Sequence, residues 1–129
     1  MKKQLTLLAV TLAFTVQADW KQWRGPTGQG HANAKLPTEW SETKNVKWRT
    51  PVPGKGWSSP VIEGNQIWMT TSFETPATKE EAAERLKSNT GGVPVNVLSS
   101  VSLHAVCVDR RTGKLLHNLR VITKKEPQW

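Results

Sequence analysis

The sequence predicts an all-β chain: one four-stranded antiparallel sheet, an additional strand ahead of it, and a short helical insertion near 78–88. Three observations carry this. Apolar and polar residues alternate with period two in several short stretches. Gly-, Pro- and Asn-containing turns separate those stretches. Only one stretch has the composition and cap of a helix.

The chain opens with MKKQLTLLAVTLAFTVQA, in which Lys2 and Lys3 precede an uncharged apolar run and Val16-Gln17-Ala18 puts small residues at the positions a signal peptidase reads. The run is too short to span a bilayer comfortably. Residues 1–18 therefore read as a secretory signal cleaved after Ala18, with a periplasmic or secreted product. Asp19 follows and no Cys stands at the junction, so no lipid or membrane anchor is expected. The net charge is +8, and cleavage takes Lys2 and Lys3 away from it. Export argues against nucleic acid as the target of the remaining basic residues.

Residues 19–44 (DWKQWRGPTGQGHANAKLPTEWSETK) show neither period and read as an extended Trp/Gly/Pro-rich arm, pinned to a surface by Trp20, Trp23 and Trp40. In 45–52 (NVKWRTPV), Val46, Trp48 and Thr50 alternate with Lys47 and Arg49, which predicts a strand with one buried face. Pro51 and Pro53 end it. A short strand over 58–62, a turn at Glu63-Gly64-Asn65 and a stronger strand over 66–72 (QIWMTTS) form a hairpin.

Thr78-Lys79-Glu80-Glu81 fits a capping box, and Ala82, Ala83, Arg85 and Leu86 continue a helix that Gly91 and Gly92 stop. With so few apolar residues it reads as an exposed insertion. Residues 101–109 (VSLHAVCVD) are apolar on both faces and predict a strand covered on both sides. Asp109 to Gly113 form a hairpin turn, in which Asp109 accepts backbone N–H groups and Gly113 takes a positive φ. Residues 115–122 (LLHNLRVI) return as the last strand.

No pattern for catalysis stands out. Cys107 is the only cysteine, so no internal disulfide forms, and there is no Cys/His metal spacing. Gly25, Gly28 and Gly30 match neither dinucleotide nor phosphate-loop spacing. His31, His104 and His117 lack a nucleophile at motif spacing, and Glu80, Glu81 and Glu84 lie on one exposed helix. The catalytic and metal sets are empty at this stage.

A family resemblance enters at the hairpin turn. Ala105, Asp109, Thr112, Gly113 and Lys114 resemble the repeat of PQQ-like β-propellers, where a small residue, then Asp, then Thr-Gly-Lys precede a Trp-bearing strand. Residues 56–62 (GWSSPVI) look like the opening strand of such a blade, and 66–70 (QIWMT) like its second. Residues 45–49 resemble a fourth strand, with Trp48 where the family has its docking Trp. The resemblance spans 45–122 and departs at His117, which stands where a Trp is expected. It implies about one four-stranded blade plus a ring-closing strand, with Trp48, Trp57, Trp68 and His117 packing the blade. It makes 45–129 the start of a propeller whose remaining blades lie outside this chain, since a lone repeat does not bury its faces. The function it implies is that of a non-catalytic scaffold for an unidentified protein partner. Two alternatives remain: a PQQ-dependent quinoprotein oxidoreductase, with cofactor only in the full-length propeller, and a Trp-rich carbohydrate-binding module.

Overall fold

Two hairpins and the long connection between them build the sheet. The computed structural model describes residues 19–56, 58–88 and 96–127. The signal segment ending at Ala18, Trp57 and the Gly91-Gly92 helix stop lie outside these residues.

Strand β1 (Val61–Glu63) turns at Gly64-Asn65 into β2 (Gln66–Pro76). Helix α1 (Lys79–Leu86) follows, then β3 (Leu98–Asp109) and β4 (Leu115–Lys125). The strands lie in the order β1-β2-β3-β4, each antiparallel to the next. The protein is thus a mostly β chain: an open four-stranded antiparallel sheet with one short helix.

The chain ahead of β1 continues along β2 without a regular ladder. Lys55 N–H donates to the Ser72 carbonyl at 2.8 Å, and the Ser58 hydroxyl accepts from Thr70 N–H at 2.9 Å. Gly56 allows this approach: a Cβ at that position would lie 2.6 Å from the Thr70 carbonyl oxygen.

Helix α1 starts as its composition requires. The Thr78 hydroxyl accepts from Glu81 N–H at 3.2 Å, and the Glu81 carboxylate accepts from Thr78 N–H at 2.9 Å. No residue of the helix is buried. Arg85 ties it to the sheet, donating to the carbonyls of Leu98 at 2.7 Å and Pro127 at 3.1 Å.

The core is small and sits at the two ends of β3, most of it at the Asp109 end. Val106 and Cys107 are fully buried, Val108 is 2% exposed and Leu98 4%. Burial of each Val contributes about 1.5–3 kcal/mol. Cover on both faces of β3 holds only there, because Leu103 is 47% exposed. Strand β4 is exposed along its whole length.

Two expectations are corrected. Residues 45–52 form no strand: among the described residues they make no backbone ladder. The alternation is present, with Trp48 and Thr50 half-buried and Lys47 and Arg49 exposed, but it serves side-chain docking rather than sheet pairing. In the arm, Trp20 alone of its three Trp is anchored. It exchanges two backbone hydrogen bonds of 2.8 Å with Ile62 at the edge of β1, while Trp23 and Trp40 are 66% and 73% exposed.

Candidate functional site

The polar residues singled out in the sequence converge at one end of the sheet, where the two hairpin turns meet. Asp109 ends β3, and its Oδ1 accepts from Arg111 N–H at 2.9 Å, Thr112 N–H at 2.8 Å and the Thr112 hydroxyl at 2.8 Å. Gly113 N–H closes the turn on the Asp109 carbonyl at 2.8 Å, and Asp109 N–H donates to the Lys114 carbonyl at 2.8 Å. The other Asp109 oxygen accepts from the Asn65 amide. This donor set, led by Thr112, holds the Asp109 carboxyl below its usual range.

The first turn docks on the second. Arg110 N–H donates to the Asn65 carbonyl at 2.9 Å, and Gly64 N–H donates to the Asp19 carboxylate at 2.8 Å. The Gly64 amide, with Lys21 close by, keeps Asp19 below the usual carboxylate range. Over this junction lies Trp48. Its indole Nε1–H donates to the Arg110 carbonyl at 2.9 Å, and the Thr50 hydroxyl donates to the Gly113 carbonyl. Gly113 has φ +75°, and a Cβ on it would lie 2.7 Å from the Trp48 ring. The Asp109 carboxylate and the Arg110 and Gly113 carbonyls are occupied by this chain's own donors, while Asn65 Oδ1 is buried without a donor among the described residues.

Trp68, Cys107 and His117 form a second arrangement. They are successive Cα partners across β2, β3 and β4, so their side chains share one face. The Trp68 and His117 rings stack at 5.9 Å with 14° between planes, closing over Cys107. Burial pushes the Cys107 thiol up from its usual range, which makes it a poor nucleophile. Ala105, one step along the same face, partners Thr70 and Leu119.

The third feature is open surface. Along the Cys107 face, Leu103 pairs with Ile122 and Ala105 with Leu119, and the three large residues are 47%, 55% and 52% exposed. A shallow depression of about 580 Å³ runs beside Leu103 and Ile122. Another of about 650 Å³ lies between α1 and the ends of β3 and β4, lined by Glu80, Glu84, Arg85 and Lys125 among others. A third, about 330 Å³, passes Lys55, Thr70, Leu103 and Val121. A planar quinone tricarboxylate requires an aromatic plate and converging cations. None of the three depressions has a Trp or Phe in its lining, so they do not fit it. Among the described residues, no three His, Cys, Asp or Glu side chains gather as a metal would need.

The sequence places Asn65 in a turn, Thr50 on a strand face and Asp19 after the cleavage site, but gives none of them a part in this junction. Asn65 meets Asp109 across 44 positions, and no local spacing announces such a pair. The exposed β4 row was readable in LLHNLRVI, where apolar residues fall on both sides of the strand.

Neither the family models, nor the curated proteins, nor the solved structures contain a match to this chain. What the structure defines is therefore a class of architecture: an antiparallel β-meander, tied at its turn end and uncovered on the Leu103–Ile122 face.

Proposed function

We propose that this sheet is one blade of an exported PQQ-like β-propeller and that the protein acts as a non-catalytic binding scaffold. The observation that supports this most is the uncovered apolar face. Leu103, Leu119 and Ile122 lie together on one side of the sheet, each about half exposed. Contiguous apolar surface of this kind marks a surface that something else covers. A neighbouring blade is a cover of the right shape, because blades stack sheet on sheet. The sequential β1-β2-β3-β4 order and the Asp109–Lys114 turn agree with that reading. In this picture Trp48 clamps an incoming segment to the turn, and His117 takes the place of the expected Trp by stacking on Trp68.

A dye that fluoresces on apolar surface tests the reading. The chain is expected to bind it while showing sheet signal in circular dichroism, and the Leu103→Lys, Ile122→Lys double variant to lose most of that binding. A folded chain that binds no dye contradicts the proposal. Export is tested separately by the mass of the mature protein, which should begin at Asp19.

One observation favours a second reading, carbohydrate binding by the arm. Trp23 and Trp40 stand exposed, with the Arg24 guanidinium 4.3 Å from the centre of the Trp23 ring. Retention of the chain on insoluble polysaccharide, lost in Trp23→Ala and Trp40→Ala, would support it. The quinoprotein alternative has no such observation in its favour.

A further inference from the structure

The outer edge of β4 is unlike the rest of the sheet. Among the described residues, β4 pairs with β3 on one side and with nothing on the other. It runs for 11 residues without Pro or Gly. Five of its side chains are large, apolar and exposed: Leu115 and Leu116 at 39%, Leu119 at 52%, Val121 at 68% and Ile122 at 55%. Such an edge is a template for another strand.

Charge says which kind. Lys114, Arg120, Lys124 and Lys125 lie on or beside β4 and make no ion pair among the described residues. The stretch of β3 that pairs with β4, residues 100–108 (SVSLHAVCV), contains no acid; the acids near β4 are Glu80, Glu81, Glu84 and Glu126, which line the depression beside Lys125.

We propose that the free edge of β4 is a docking strand for an extended acidic–apolar segment of a partner protein, which joins the sheet as a fifth strand. Main-chain hydrogen bonds to the open edge supply affinity, alternate apolar residues pack on the Leu119–Ile122 row, and carboxylates on the opposite face meet Arg120 and Lys125. The proposal deepens the scaffold reading and rests on it, since it names the partner of that scaffold. Edge-to-edge pairing with a second copy is disfavoured, because β4 has cations and no carboxylate to offer its twin. A polyanion would satisfy the cations but leave the backbone edge and the apolar row unused. A purely protective edge carries Lys without a row of exposed Leu, Val and Ile.

The test titrates the full chain with a synthetic peptide that alternates valine and glutamate over the length of β4. Amide hydrogen exchange is read across β4 by mass spectrometry. The peptide is expected to slow exchange at 117–124. Two control peptides, one N-methylated on alternate amides and one with lysine for glutamate, are expected to bind at least about tenfold more weakly. Arg120→Glu with Lys125→Glu should cost a similar factor and favour the lysine peptide. Equal binding of the N-methylated peptide, protection elsewhere in the chain, the same protection from heparin, or peptide-free β4 protection by self-association that persists in the Leu103→Lys, Ile122→Lys variant would each overturn the proposal. These readouts compare peptides on β4. Failure of the blade reading shows instead in the peptide-free dye measurement on the Leu103–Ile122 face, so the two failures are distinguishable.

Discussion

The indole of Trp48 rests on Gly113 so closely that there is no room for a methyl group between them, and its N–H caps the Arg110 carbonyl at 2.9 Å. One contact thus joins a segment with no ladder of its own to the turn between β3 and β4, across more than 60 positions of sequence.

Gly113→Ala strikes this contact twice. It places a side chain at φ +75° and drives its Cβ to 2.7 Å from the indole. The expected loss is about 2–4 kcal/mol, read as a fall in the urea midpoint together with a red shift of Trp fluorescence. Trp48→Phe keeps an aromatic ring but removes the indole donor to the Arg110 carbonyl, for a smaller loss of about 1 kcal/mol. An Ala variant with unchanged midpoint would show that the indole does not rest on the turn.

The turn also makes stability depend on acid. The Asp109 carboxyl is held below its usual range chiefly by the Thr112 hydroxyl and amide. A depressed folded pKa gives stabilisation that is complete above the ordinary Asp range, near 3.9, and is lost as pH falls through the lower folded value. The urea midpoint is therefore expected to drop as pH is lowered from about 5 toward 3. Asp109→Asn should flatten part of that slope, with Asp19 retaining the rest. Stability that rises on acidification would contradict the turn geometry.

Cys107 reports on the ring pair above it. Fully buried beneath Trp68 and His117, with its thiol pushed up, it should react very slowly with a thiol reagent in the native protein. His117→Ala opens that cover and is expected to speed the reaction toward the rate of the unfolded chain. His117→Trp should slow it and add about 0.5–1.5 kcal/mol of stability through a larger ring contact. Equal rates in all three proteins would mean that the stack does not shield the thiol.

Local signals and long-range ones were unequally visible in the sequence. The capping box at Thr78 and Glu81 and the Gly64-Asn65 and Asp109–Gly113 turns depend on neighbours within a few residues, and the structure contains each of them. Alternation marks three strands too short and the first, 58–62, too long, since β1 holds only Val61–Glu63. Strand β2 runs on to Pro76, β3 begins at Leu98 and β4 ends at Lys125, because pairing carries the ladder past the point where alternation stops. Residues 45–52 show the opposite error. Alternation there gives an extended chain with one half-buried side, but extension alone does not decide whether backbone or side chain makes the contacts. The Trp48–Arg110, Thr50–Gly113 and Asn65–Asp109 contacts have no signature in sequence spacing, since a fold brings them together and no local periodicity does.

The account turns on an apolar sheet face that needs a cover. Sedimentation velocity of residues 19–129 over a wide concentration range tests this most directly. The account predicts association that grows with concentration and is suppressed by Leu103→Lys with Ile122→Lys. A single compact monomer at every concentration, in the unsubstituted chain, would contradict it.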